Sequence, residues 1–264
     1  IQIEQDEKIE TVLTVRDNID EGYLFMATKH GLVKKTPLSE FKNLRKSGLI
    51  AINLREGDEL LKVKVTRGDA DIIIVSQEGN AIKFNEQDVR PMGRTASGVK
   101  SMNLRENDIA VCMDIAVDEE DLLVISENGF GKRTPLTEYK RQNRGGVGLI
   151  TYKISEKTGK VVGATVCKPE DELMLINTSG IAIRINVSDI SVTSRSAMGV
   201  TLMRTTEEEK VVAVAKIASN GEEESDEQLT LEACADNEVI EESNDTSLDL
   251  SLIHISEPTR HSLI

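Results

Sequence analysis

Four residues beyond each of four regularly spaced glycines stands a cation: Lys35, Lys83, Arg133 and Arg184. The landmark glycines are Gly31, Gly79, Gly129 and Gly180, separated by 48, 50 and 51 residues. One position before the cations stand Lys34, Ile82, Lys132 and Ile183. A second glycine recurs at Gly48, Gly98, Gly148 and Gly199, 17 residues after the first landmark in the first repeat and 19 in the other three. Four positions before it lie Arg94, Arg144 and Arg195; in the shorter first repeat Arg45 and Lys46 fall nearby. Arg141 also precedes it in the third repeat, and Lys100, Lys153 and Arg204 follow it. Cations at one position of a radial repeat occupy equivalent places, so they predict a ring of charge around one rim. A ring of this kind suits a curved polyanion. Duplex DNA is the candidate, because phosphate contacts supply affinity without reading bases. Bending a duplex by tens of degrees over 20–30 base pairs costs of order 1–6 kcal/mol, which several spaced patches offset. A single exposed cation is commonly just solvated; a column that is basic in four of four repeats is not explained by scatter.

Other chemistries find less support. Nine residues after the first glycine the chain is acidic every time, at Glu40, Asp88, Glu138 and Asp189. A catalytic acid would occur once, so this column reads as turn residues or salt-bridge partners, and the apolar column after it (Phe41, Val89, Tyr139, Ile190) as core. No one-off constellation of carboxylate, His and Tyr is found, and no phosphate-binding loop of the P-loop type. Cys112, Cys167 and Cys234 are far apart and form no CxxC pair, which argues against a disulfide framework or a zinc site and fits a reducing cytoplasm. Cys112 and Cys167 lie in apolar runs and read as small core residues. Seven aromatic residues and no Trp disfavour base stacking on a single strand and a Trp-Asp type of protein-binding propeller.

The elements that must position these residues are strands. Before each first glycine runs a short apolar stretch: Leu24–Ala27, Ile72–Val75, Leu122–Ile125 and Leu173–Ile176. Each ends in a small polar residue and leads two residues later to the glycine, predicting a buried strand, a tight turn with positive φ and a return strand. An extended segment follows the second glycine, such as Leu49–Leu54 or Val99–Leu104, and a fourth run closes each unit, as in Leu60–Val65. Four strands in about 50 residues, repeated, predict a propeller blade or a close relative. No segment sustains a helical period. The closing run has a fifth copy, Glu7–Val15, ahead of the first hairpin. The expectation is four complete blades plus one leading strand, in a chain truncated at its N-terminus, with blades near 16–66, 67–116, 117–167 and 168–219.

The net charge of −14 is unevenly spread. Residues 221–264 hold 13 acidic residues and one basic residue, so they carry −12 and leave −2 for residues 1–220. A near-neutral body can bind DNA if its cations share a surface. The segment 220–264 reads as a disordered acidic tail that competes with DNA for the cations. Its last stretch, 251–264, loses the acidic character and reads as a foreign, artefactual end, so His254 and His261 receive no role. No apolar run approaches membrane-spanning length and no signal-peptide pattern is present.

On these residues the chain resembles the C-terminal domain of DNA gyrase A. The matching stretches are FMATKHGLVKKTPLSEF, GLIAINLREGDEL, SENGFGKRTPLTEY, GVGLI followed by TGKVVGATV, and GVTLMRT, spread over residues 1–219. The resemblance implies an all-β β-pinwheel, a disc whose blades exchange a strand with their neighbours, and DNA wrapped around its basic perimeter. It implies no catalytic residue, metal or cofactor in this chain. Its implied partners are the N-terminal breakage-reunion region of gyrase A, which holds the DNA-breaking tyrosine, and gyrase B, in an A2B2 enzyme that uses ATP and Mg2+ to supercoil DNA negatively. The family usually has six blades, and this chain resembles the last four. The family's Q-R-R-G-G-K-G loop has a partial echo at Gln142–Gly148, which lacks two of the basic residues. Topoisomerase IV carries an equivalent domain with more degenerate blades, so the regular repeats here favour gyrase.

Overall fold

The computed structural model describes residues 14–15, 21–42, 48–206, 208–217 and 251–252. Among these, the regular elements are strands and single turns of 3-10 helix. Strand β1 (Thr14–Val15) precedes the repeats. The first repeat holds β2 (Tyr23–Thr28), β3 (Leu32–Pro37) and β4 (Leu60–Thr66). The second holds β5 (Asp71–Ser76), β6 (Asn80–Asn85), β7 (Val99–Lys100) and β8 (Ala110–Ile115). The third holds β9 (Asp121–Ser126), β10 (Phe130–Pro135), β11 (Leu149–Ile150) and β12 (Val161–Cys167). The fourth holds β13 (Glu172–Asn177), β14 (Ala182–Asn186), β15 (Val200–Thr201) and β16 (Val211–Ile217), and β17 (Ser251–Leu252) comes last.

The sheets run β4-β2-β3-β7, β8-β5-β6-β11, β12-β9-β10-β15 and β16-β13-β14. The short strands after Gly98, Gly148 and Gly199 therefore close the sheet of the preceding repeat. Val99 pairs with Val33, Leu149 with Ala81 and Val200 with Gly131, all antiparallel. This is the strand exchange that the resemblance implies. The extended segment expected after the second glycine contributes only two residues to each sheet. Three blades are four-stranded; the fourth sheet has three strands among the described residues. Of the leading copy Glu7–Val15, Thr14 and Val15 pair with Leu252 and Ser251, so the end read as foreign supplies a strand there. The other residues of the acidic segment lie outside those described.

The core lies between sheets rather than within one. Phe25, Ala27 and Val33 of the first blade pack with Ile72, Ile74, Ile82 and Phe84 of the second. Ile73 and Val75 face the opposite way, onto Leu122 and Val124 of the third, and Leu123 and Ile125 face Leu173 and Leu175 of the fourth. Both faces of the central strands β2, β5 and β9 are thus covered, which is why their sequences show unbroken apolar runs instead of alternation, whereas β13 of the fourth sheet alternates between buried and half-buried residues. Strand β14 departs from this for the same reason: it alternates between exposed and half-buried residues, and no fifth blade covers its sheet among the described residues.

Two sets of glycines are obligatory for this joint. Gly31, Gly79, Gly129 and Gly180 turn the hairpins at φ between 75° and 77°. At the second landmark, a Cβ on Gly98 would lie 2.5 Å from the Val33 carbonyl, and Gly148 and Gly199 would meet Ala81 and Gly131 carbonyls in the same way. Only glycine lets the exchanged strand approach that closely at positive φ.

At one edge of the sheets, β4, β8, β12 and β16 pack against one another in turn, forming the hub. Here Lys64 pairs with Asp114 at 3.1 Å, and Asp114 accepts the Val166 N–H at 3.2 Å across to the next blade. Burial alone would raise the Asp114 carboxyl, but Lys64 and the Val166 and Ile115 N–H groups hold it below the ordinary carboxylate value. The opposite edge, carrying β7, β11 and β15, is the perimeter.

Candidate nucleic-acid interface

The straps that lead into β7, β11 and β15 leave the 3-10 turn of one blade, cross outward and land on the edge of the preceding blade. Their register is held by isolated bridges of Lys35 with Pro91, Lys83 with Arg141 and Arg133 with Val192. Each strap crosses directly over the strand that carries the most regular cations of the sequence, and this decides where those cations point.

Lys35, Lys83 and Arg133 are buried, at 4%, 5% and 7% exposure, and do not form a solvent-facing ring. Each is a tie to the following blade. Lys35 Nζ donates to the Glu86 carbonyl at 2.9 Å and lies 3.9 Å from the Glu86 carboxylate. Lys83 Nζ pairs with Asp118 at 2.5 Å and reaches the Leu136 carbonyl at 3.4 Å. Arg133 donates to the Ile190 carbonyl at 2.9 Å and the Ser188 carbonyl at 3.3 Å, and pairs with Asp121 at 3.1 Å. The fourth member, Arg184, has no following blade to reach among the described residues; it is exposed and pairs with Glu172 on the neighbouring strand. A buried cation must be hydrogen-bonded or paired, and the repeated interblade joint supplies carbonyls from the 3-10 turn of the following blade and its C-cap each time. The column is periodic because the joint is periodic.

Glu86 is the one-off member of this joint. Where the other repeats place Leu38, Leu136 and Val187 seven residues after the first glycine, the second repeat buries a carboxylate completely. It accepts the Thr66 hydroxyl at 2.7 Å and the Gly68 and Ala70 N–H groups at 3.0 and 2.8 Å.

Lys34 and Lys132 are fully buried beneath straps. Lys34 Nζ donates to the Ala51 and Arg94 carbonyls; Lys132 Nζ donates to the Ser194 and Arg195 carbonyls at 2.6 and 2.5 Å. Burial pushes the Lys34 ammonium down to about 8, assisted by the Arg94 guanidinium. Burial also lowers Lys132 to about 8, with Glu138 opposing and Arg195 assisting. Five of the expected contact residues, Lys34, Lys35, Lys83, Lys132 and Arg133, are therefore internal.

The remaining cations lie on the straps (Arg94, Arg144, Arg195), in β7 (Lys100) or three residues beyond β11 and β15 (Lys153, Arg204). Lys100, Lys153 and Arg204 are exposed, and Arg94, Arg144 and Arg195 are half-buried. Lys100 donates to Asn103 at 3.2 Å. Arg144 folds back to donate to the Asp88 and Lys100 carbonyls, both at 3.0 Å, and Arg195 reaches the Ile150 carbonyl at 3.4 Å. Arg141 is exposed but pairs with Asp71 at 2.9 Å. Arg45 and Lys46 lie outside the described residues. Two further exposed cations, Arg90 and Lys140, stand where each strap begins, eleven residues after the first glycine, with Lys42 in the same column. They escaped the sequence reading because the fourth repeat has Ser191 there, although the same superposition contains them. The acidic column is exposed at the start of the straps, where Glu138 accepts the Arg195 N–H at 3.3 Å. The apolar column beside it is buried at 2% exposure or less.

Radial antiparallel blades that close one another by strand exchange, with cations along the outer straps, define a propeller-like class of repeat protein with a basic outer edge. Over residues 22–67, 70–111, 120–168 and 171–218 the chain matches the family described as DNA gyrase C-terminal domain, beta-propeller, and it belongs to that family. It is 63% identical over 224 residues to the DNA gyrase A protein of Clostridium acetobutylicum, covering 85% of this chain and 27% of that protein. To the DNA gyrase A protein of a Staphylococcus aureus strain it is 44% identical over 235 residues, 88% of this chain and 26% of that one. The chain thus spans about a quarter of the length of these relatives. Among solved structures, the C-terminal domain of DNA topoisomerase IV is similar with a TM-score of 0.77 and 30% identity, over 82% of this chain and 68% of that one. The DNA gyrase A C-terminal domain is similar with a TM-score of 0.73 and 30% identity, over 82% and 73%.

Proposed function

We propose that this chain binds duplex DNA along its perimeter and bends it around the disc, without sequence readout, as a noncatalytic module of a DNA gyrase A protein. The observation that carries this reading is the set of exposed or half-buried cations on successive straps and in or just after the edge strands they feed, Arg90, Arg94 and Lys100, then Lys140 and Lys153, then Arg195 and Arg204, the edge strands lying opposite the hub. Cations spaced along a convex edge favour a duplex that follows it, since each phosphate neutralised adds affinity independently of base identity. Identity of 63% to a gyrase A protein and the regular spacing of the repeats favour gyrase over topoisomerase IV. In that setting the partners are the breakage-reunion region of gyrase A and the whole of gyrase B, in a cytoplasmic A2B2 enzyme. The ATP and Mg2+ chemistry then belongs to those other parts.

The test is duplex binding by the chain as a function of salt, joined to a topology assay in which nicked circles are resealed with the protein bound. Salt-sensitive binding with a shift in linking number is the expected outcome. Binding without a shift would overturn wrapping by this chain alone and leave only the grip. Absence of binding at low salt would overturn the perimeter reading and favour a protein-binding propeller.

A further inference from the structure

A lone exposed isoleucine is ordinary on a protein surface; Ile150 is set apart by its surroundings. It lies in the edge strand β11, fixed by its pairing with Asn80, and is 58% exposed on the edge opposite the hub. Val147, three residues earlier, is exposed as well. The same repeat position holds Lys100 in β7 and Thr201 in β15, so an apolar residue stands where the preceding edge has a cation. Cations border it on both sides. Toward β7, Arg144 lies on the Lys100 carbonyl. Toward β15, Arg195 reaches the Ile150 carbonyl itself at 3.4 Å, and Lys153 is exposed three residues further on. Between Arg144 and Val147 the backbone is bare. Gly145 is accounted for by its φ of 82°. Gly146 has no positive φ, and a Cβ there would meet nothing nearer than Ile82 at 3.7 Å; the neighbouring straps carry Ala96 and Ala197 at that place. The fold does not demand this glycine, and a bare backbone is what close approach of a ligand uses.

Apolar side chains bordered by cations suit a partner that is anionic outside and apolar within reach, as duplex DNA is. Two contacts with it are open to them. Insertion between base steps from the minor groove kinks the duplex toward the major groove, away from the inserted side chain. On the convex edge of the disc that bend runs against a duplex that follows the edge. The other contact is the thymine methyl, the apolar group that base pairs present in the major groove, whose width of about 12 Å admits a β-ribbon. We propose that Ile150, together with Val147, contacts thymine methyls in the major groove where the duplex crosses the edge of the second blade. The contact adds a local preference for thymine to backbone-driven binding that is otherwise indifferent to sequence. It rests on the DNA-binding reading above and deepens it by assigning a base contact to one blade.

The test compares two A·T-rich duplexes of the same sequence, one with thymine and one with uracil, which lacks only the methyl. The whole chain should bind the thymine duplex about fourfold more tightly, the worth of one methyl taken out of water. In Ile150→Ala the ratio should fall toward one, because the thymine duplex is held more weakly and the uracil duplex is not. Ile150→Lys copies the edge of the first blade. It should lose the ratio too, while its salt slope becomes more negative by about 0.9, which keeps binding strong enough to measure. A ratio of one in the parent chain, a ratio that survives both substitutions, or equal weakening on both duplexes in Ile150→Ala would overturn the proposal. Failure of the parent chain to bind either duplex at low salt is a different result: it overturns the DNA reading itself, and this contact with it.

Discussion

At the scale of single residues, the interblade joint shows how a charge is kept in a core. Glu86 accepts three hydrogen bonds and faces Lys35, so removing it strands a buried cation. Glu86→Ala is expected to lower stability by about 3–5 kcal/mol in urea denaturation. Replacing both partners, Lys35→Met with Glu86→Leu, should recover much of that loss, because an apolar residue fills this position in the other three repeats. The two strap lysines give a pH signature. Their values near 8 in the fold, against 10.5 as the ordinary value, mean that the unfolded chain binds these protons more tightly between those limits. Stability therefore rises with pH from about 8 to about 10.5. Denaturation midpoints on either side of this window should show the rise in the parent chain and a flatter response in the Lys34→Met, Lys132→Met variant.

At the scale of elements, the exchanged strand is the joint on which each blade depends. A Cβ at Gly199 would collide with the Gly131 carbonyl, whereas one at Gly48 meets no atom within 4 Å among the described residues. Both glycines have positive φ, 78° and 73°, so both substitutions by alanine carry the left-handed strain of about 1–2 kcal/mol. Only Gly199→Ala must also push β15 from β10. Thermal unfolding should rank Gly199→Ala as clearly the more destabilising; equal effects would mean that the close approach is not the constraint. The hub adds an acid limit. Asp114 is held below its ordinary value, so its contribution is present above the unfolded carboxylate pKa and is lost as pH falls through the folded one. Asp114→Asn should reduce this acid dependence.

At the scale of the whole molecule, cations of similar sequence character separate into ties and contacts. Lys83→Met is expected to lower stability while leaving the salt slope of DNA binding unchanged. Lys153→Ala and Arg204→Ala should leave stability within about 0.5 kcal/mol, and each should make the slope less negative by about 0.9. Electrophoretic binding assays over a salt series, with melting curves of the same variants, check both halves. Deleting residues 221–264, which carry −12 of the net charge, should tighten binding at low salt; unchanged affinity would show that the acidic segment does not compete for the perimeter.

Much of this was legible in the residues alone. The spacing of glycines, the four-residue apolar runs and the buried column of Phe41, Val89, Tyr139 and Ile190 determined a radial all-β repeat, its turns and its core, because strand period and turn chemistry are local properties. A basic column in register was equally visible, but its meaning was not. Any constraint repeated at every joint between blades writes a periodic column, whether that constraint is a phosphate outside or a carbonyl inside. Only the tertiary structure, by laying each strap across the strand before it, covered Lys34, Lys35, Lys83, Lys132 and Arg133 and left Lys100, Lys153 and Arg204 in solvent. Which side of a strand faces water depends on what packs against it, and in a molecule built by strand exchange that neighbour comes from the next repeat.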